Sequence, residues 1–367
     1  MDEFNSNLVQ KGRLLPGIHG LRGLAALAIF LYHLIHIAGI KPPSMFNFIG
    51  RDFGFSVHLF FILSAYSLMY STESKVNKPN WLKDYFIKRF FRIAPLFYLM
   101  IIFFVMVLGH HNVNNIILNL SFTFGFAPPT GFVWGGWSVG VEMIFYVIFP
   151  VLLLLIRTHR DAFIFLVVSI IISCTLRSEL HYQYLSANPT ARFDWSYFSF
   201  ESNMCFFAMG MYAYRLSQCY KADTKLMRIF VPTIAIAIIS ALLFFELGKY
   251  LNNSSRLDIV LWGIGLSALC IWQGVLPSIL IGNKIFEYLG ERSFSIYLLH
   301  PVVIFYSKNQ LGSAYELLLP HIGQSAYFIC AALLFSSILI FAELTYRLVE
   351  VPGINVSRKL IKTREVA

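Results

Sequence analysis

Apolar residues run along this chain in long blocks, with polar residues gathered between them. Several blocks of roughly 18–22 residues carry few or no charges, the length an α-helix needs to cross the core of a bilayer. They place spans at about 20–40, 54–72, 94–110, 137–156, 162–177, 198–215, 229–247, 257–276, 293–311 and 326–347. The pattern predicts an all-α protein, a polytopic transmembrane helix bundle of about ten spans, forming one integral-membrane domain over 1–367.

The breaks between blocks have their own character. Residues from about Thr72 to Ile93 make the longest basic loop, with Lys75, Lys78, Lys83, Lys88, Arg89 and Arg92. Its second half, WLKDYFIKRFFR, alternates bulky apolar and basic residues at helical spacing, as a helix lying in the membrane interface does. Pro95 then suits the first turn of the third span. The segment HHNVNNIILNLSFTFGFAPPTGFVWGGW has no Asp, Glu, Lys or Arg and is rich in Asn, Gly and Pro. It is expected to lie on or dip into the outer face. RSELHYQYLSANPTARFDWSYF forms a second long external segment, suited to a glycan surface or to an interfacial anchor.

Composition agrees with a membrane protein: 57% of 367 residues are apolar, 13% are charged and 36 are Phe. The net charge of +10 tests the topology. If the first span enters from the cytoplasm, ten spans return both termini there. Cytoplasmic segments and their flanks then hold 22 of the 29 Lys and Arg residues, and external ones hold seven. That is the positive-inside bias, so the basic balance reports orientation and not a nucleic-acid partner. Four of the five cysteines fall in apolar spans and none forms a CxxC pair, which suggests neither a disulfide framework nor a metal site. The N-terminal tail lacks a signal peptide's short apolar core and small-residue cleavage site. The first span is therefore expected to act as an uncleaved insertion signal.

Against this background the ionisable residues inside spans stand out, because they are costly in lipid and usually face a partner or a cavity. Arg22 and His33 lie eleven residues apart in the first span. Eleven residues make about three helical turns, so both side chains share a face, separated by roughly 16 Å along the axis. Ala25, Ala26 and Ile29 fall between them on or near that face. Arg22 could equally be a snorkelling interfacial arginine, and His33 a structural histidine bonded to a carbonyl. The second span holds Ser64, which often bonds to its own helix backbone. The fourth span holds Trp137, Ser138 and Glu142. The ninth holds Ser293, Ser295, Tyr297 and His300. Arg89 and Arg92, three apart, share a helix face, suited to gripping a diphosphate or to contacting lipid phosphates.

Together these residues carry a signature. The chain resembles the membrane-bound acyltransferase family 3, which includes bacterial O-acetyltransferases of surface glycans. The matching elements are Arg22 and His33 as an Arg-x10-His pair, FFILSA, Arg89 and Arg92 as an RxxR element, WSVGVE, SFSIYLLH and the closing YRLVEVP. Ala65 departs from a usual Gly, Gly140 from a frequent Ser, and Met143 from a frequent second acid. The first two changes are small-for-small; the third suggests that Glu142 alone is required. Some family members continue into an extracytoplasmic esterase-like domain, for which this chain is expected to lack room.

The resemblance implies an acyl-CoA donor, usually acetyl-CoA, no metal, and a sugar hydroxyl on a surface or lipid-linked glycan as acceptor, at the bacterial inner membrane. In that setting Arg22, Arg89 and Arg92 would hold the donor's phosphates. The pantetheine arm would thread a tunnel between Arg22 and His33, and His33 would act as general base. Glu142 would orient His33. Trp137, Ser138 or Ser64 would stabilise the oxyanion, and His300 would serve as a second base or structural partner. The competing class is a proton-coupled transporter or flippase, which also uses intramembrane His, Glu and Arg. Consumption of acyl-CoA separates the two.

Overall fold

The computed structural model describes residues 16–109, 112–187, 195–219, 225–245 and 257–366. The N-terminal tail, His110, His111 and residues 188–194 of the second long segment lie outside the described residues. Among those described, every regular element is helical. The principal helices are α1 (Pro16–Ala38), α2 (Ser56–Thr72), α3 (Trp81–Leu108), α4 (Val113–Leu120), α5 (Trp137–Leu155), α6 (His159–Ala187) and α7 (Phe200–Cys219). They continue with α8 (Val231–Phe244), α9 (Leu257–Val275), α10 (Lys284–Glu291), α11 (Ser293–Ile322), α12 (Ala326–Thr345) and α13 (Val351–Val366).

Each predicted span falls on a helix, yet seven helical stretches among the described residues are long and apolar enough to cross a membrane. The difference has three sources. α7 carries Glu201, Asn203, Arg215 and Gln218 and is too polar to count as an apolar span, although most of it is buried in the bundle. The apolar helix at 228–244 is short. The stretch from Ser293 to Lys362 reads as one, but Gly323, at a φ of 58°, caps α11. The chain then turns back, so that α12 packs on α11.

α1 sits at the centre and contacts α2, α9, α10, α11 and α12. Ile18, Leu21, Ala25 and Ile29 join one hydrophobic cluster with α2, α3, α5 and α7. Ala26, Phe30 and Leu34 join a second with α11 and α12. In lipid the hydrophobic effect does not draw helices together, so close backbone approach between small residues matters more. Gly20 lies against the Ile281 carbonyl and Gly290 against the His19 carbonyl, leaving no room for a Cβ at either.

The basic segment expected as a separate interfacial helix is instead the start of α3, which runs unbroken from Trp81 with Pro95 inside it. Proline cannot donate to the carbonyl four residues back, here that of Phe91. α13 packs on this side of α3, and a Cβ on Gly353 would lie 2.7 Å from the Phe91 oxygen. The continuity matters for the site, because it ties Arg89 and Arg92 rigidly to the membrane part of the helix. Among its described residues, the segment before α5 contains the eight-residue α4 and short 3-10 turns. It folds back on the bundle through Phe124, stacked on Phe97.

Candidate active site

The structure sorts the polar residues into two clusters joined by α5. In the first, one guanidinium nitrogen of Arg22 donates to Ser64 Oγ at 3.4 Å. Ser64 Oγ donates to Glu142 Oε1, and the Tyr146 hydroxyl donates to the same oxygen at 2.5 Å. Helices α1, α2 and α5 each supply part of the group. Glu142 and Tyr146, four apart, lie on one face of α5. Tyr85 of α3 fixes the far side by donating to the Tyr146 carbonyl at 2.9 Å. The Arg89 guanidinium carbon stands 5.7 Å from the centre of the Tyr146 ring. The carboxylate beside Arg22 thus has two hydroxyl donors and a guanidinium sharing one of them.

In the second cluster, His33 Nδ1 lies 2.9 Å from His300 Nε2. His300 Nδ1 lies 3.1 Å from the Ile296 carbonyl oxygen. A carbonyl only accepts, so His300 Nδ1 carries the proton and its Nε2 is the acceptor. His33 Nδ1–H must then be the donor, which leaves a lone pair on His33 Nε2. His300 is fully buried, while His33 is half-buried. Beside them, Ser138 Oγ donates to the Tyr297 hydroxyl at 2.8 Å, and the Tyr297 ring centre is 5.8 Å from that of His300. Ser138 and Glu142 are one turn apart on α5, so this helix carries a polar strip from the first cluster to the second.

Two expectations change here. Glu142 is bonded to Ser64 and Tyr146, and His33 takes His300 as its partner. The fourth span starts at the His33 end, where Ser138 meets Tyr297, and brings Glu142 to the Arg22 end of α1. Ala25, Ala26 and Ile29, expected along an open tunnel, are 1%, 0% and 2% exposed. These side chains are packed into the two hydrophobic clusters, and the hydrogen-bonding side chains lie instead on the α5 side.

The RxxR pair is divided. Arg92 lies 3.5 Å from Glu350 Oε2. Glu350 is buried on a π-helical turn, Tyr346–Glu350, and accepts from Ser295 Oγ at 2.5 Å. Thr345 in turn donates to Ser295 at 2.9 Å. Arg89 instead lines a 460 Å³ cavity with Lys75, Lys78, Lys88, Trp81 and Asp84. Trp137 is wedged among the rings of Phe61, Tyr197 and Phe198. Gly140 proves less replaceable than its small-for-small reading implies, since a Cβ there would lie 2.8 Å from the Phe124 ring and 3.0 Å from Gly125 N.

Sequence reasoning gave no role to Tyr146 or Glu350. The i,i+4 spacing from Glu142 was a usable signal for Tyr146. For Glu350 the YRLVEVP match was the signal, but nothing in it told of the π-turn that aims the side chain inward.

Apolar helices with arginine, histidine and carboxylate held between them define a multi-pass membrane protein with a polar site inside the bundle. The chain belongs to the acyltransferase 3 family, whose acyltransferase-domain model matches residues 15–342. It is 26% identical over 377 residues to the peptidoglycan O-acetyltransferase OatA of Listeria monocytogenes, covering 93% of this chain and 56% of that protein. It is 27% identical over 383 residues to a Staphylococcus aureus (strain COL) protein named provisionally as the O-acetyltransferase SACOL0978, covering 94% of this chain and 58% of that one. A protein of Acidianus two-tailed virus, named provisionally as an acetyltransferase, is 27% identical over 292 residues, with 78% and 82% covered. The chain therefore spans little more than half the length of the first two relatives. No solved structure matches it.

Proposed function

We propose that this protein moves an acetyl group from acetyl-CoA to a hydroxyl of a surface or lipid-linked glycan. It does so as a protein of the bacterial inner membrane with ten spans and both termini in the cytoplasm. The hydrogen-bonded His33–His300 pair, on one polar strip with Arg22, Ser64, Glu142 and Tyr146, carries this reading. Family membership supports acyl transfer, and the name of the Listeria relative supports a glycan acceptor. The excess of Lys and Arg in alternate loops supports the orientation.

The donor's phosphates take the cavity that Arg89 shares with Lys75, Lys78 and Lys88. Guanidinium and ammonium groups bind phosphate by charge-assisted hydrogen bonds, and Trp81 offers an aromatic face for the base. Arg22 continues the positive path inward. The thin pantetheine arm then parts α5 from α1 along the Glu142–Ser138 strip and brings the thioester to His33.

There the acceptor hydroxyl gives its proton to His33 Nε2 while its oxygen attacks the thioester carbonyl carbon. A neutral imidazole is the natural base for this near neutral pH. The imidazolium keeps its Nδ1–H bond to His300, as a triad's carboxylate would hold it. Tyr297, whose oxygen already accepts from Ser138, directs its own proton to the developing oxyanion. The carbon–sulfur bond breaks, and the CoA thiolate takes the proton from His33. The products are the ester and CoA thiol.

The test is an acetylation assay in sealed vesicles with labelled acetyl-CoA. Label should appear on glycan hydroxyls with wild-type protein and vanish with correctly inserted His33→Ala. Full activity in that variant overturns the base assignment. Export of an unmodified solute without CoA release would favour transport.

A further inference from the structure

At the end of the bundle opposite the Lys75–Arg89 cavity lies a second one of 520 Å³, lined by Ile35, His36, Lys41, Pro42, Ser44, Asn47, Gly50, Arg51 and Gln324. It lies beside the histidine pair. His36 lines the cavity one turn beyond His33 on α1, and the Tyr32 ring packs on both, at 4.3 Å from the His36 ring and 5.1 Å from that of His33. His36 itself is about one helical turn, some 5 Å of rise, beyond His33.

The lining specifies a ligand. Ser44, Asn47 and Gln324 provide hydroxyl and amide groups that both donate and accept, which sugar hydroxyls require. No carboxylate is among the lining residues. Two cations are, and they differ. Arg51 is ion-paired with Asp52 at 2.6 Å and donates to the Leu243 carbonyl at 2.6 Å, so it builds the wall. Lys41 is exposed and has no carboxylate partner among the described residues. Among the described residues, the cavity therefore carries one positive charge that is left unbalanced, beside neutral polar groups.

We propose that this cavity binds the acceptor, and that the acceptor is an anionic carbohydrate whose negative group pairs with Lys41. The assignment rests on the acyl-transfer reading above for what the ligand does, but not for whether it binds. A sugar carboxylate and a sugar phosphate present the same chemistry to an ammonium group, so the probes must separate them.

The experiment uses the full chain in lipid nanodiscs and three soluble probes, titrated by saturation-transfer NMR. These are a neutral N-acetylglucosamine disaccharide, the same backbone with a carboxylate as N-acetylglucosaminyl-N-acetylmuramic acid, and N-acetylglucosamine 1-phosphate. A charge-assisted contact at a solvent-facing site predicts binding about two- to fivefold tighter for a charged probe than for the neutral one at low salt. The gap narrows as salt screens it. In Lys41→Gln it closes, and in Lys41→Arg, which also checks that the loop tolerates substitution, it persists. A gain for only one charged probe names the anion; a gain for both shows that charge alone is read. Equal binding of all three by wild type, or a gap unchanged in Lys41→Gln, overturns the proposal. Acetyl transfer is measured in the same preparations. A Lys41-dependent preference without transfer keeps the site and removes the acyltransferase reading, while transfer without the preference does the reverse.

Discussion

His33 and His300, 267 residues apart in sequence, meet through a 2.9 Å contact between two imidazole nitrogens, Nδ1 of the first and Nε2 of the second. Because His300 Nδ1 is committed to the Ile296 carbonyl, only one proton arrangement satisfies both contacts, and it bares His33 Nε2. His300 is thus a positioning residue. His300→Ala should cost about 10²-fold in kcat, the scale on which general base catalysis contributes, with little change in donor KM. His300→Gln keeps a carbonyl acceptor near the same place. It should recover most of the rate and the wild-type pH profile, with activity falling on the acid side as His33 Nε2 takes up a proton. Equal loss in both variants would reduce His300 to packing.

Glu142, Ser64 and Tyr146 form one unit, since two hydroxyls converge on a single carboxylate oxygen. Glu142→Gln should lower activity by about tenfold or more, because hydrogen bonds to a charged acceptor are worth roughly 1.5–3 kcal/mol each. Ser64→Ala and Tyr146→Phe should combine non-additively, as neighbours sharing a partner do. Strict additivity in acetylation rates would separate them.

Arg89 and Arg92 should separate kinetically although they sit on one helix face. Arg89→Ala should raise the apparent KM for the donor with smaller change in kcat. Arg92→Ala and Glu350→Gln should act mainly on thermal stability, with a coupling of about 1–3 kcal/mol in a double-mutant cycle. The reason is that Glu350 is buried and Arg92 is its cationic partner. Equal KM effects at Arg89 and Arg92 would restore the simple two-fork grip.

Gly140→Ser should lower the melting temperature in detergent. Its Cβ must displace Phe124 or the backbone at Gly125, and overpacking of this kind costs about 1–3 kcal/mol. Unchanged melting would show that the 3-10 turn at Thr123–Phe126 yields freely.

Much of this was legible in sequence because it depends on local period. The apolar blocks fall on helices, and the eleven-position offset from Arg22 to His33 puts both on the α1 face that meets the other polar helices. What was not legible is partnership across helices. Glu142 pairs beside Arg22, away from His33, because α5 runs antiparallel to α1 and its carboxylate enters at the Arg22 level. Nothing in WSVGVE states that depth. Pro95 suggested a helix start because proline is common there, yet α3 continues through it with α13 packed against the proline-broken side. The inward aim of Glu350 depends on a π-turn, which inserts one residue's worth of rotation and escapes any pattern of period 3.6.

The meeting of Gly20 and Gly290 with opposing carbonyls has a mechanical corollary. Backbone resting on backbone leaves no side chain to swing aside, so α1 cannot roll or slide against α10 without breaking that seat. On the donor path proposed above, the helix bearing Arg22 and His33 is therefore the fixed wall, seated on α10 and the turn before it, and α5 is the side expected to give way.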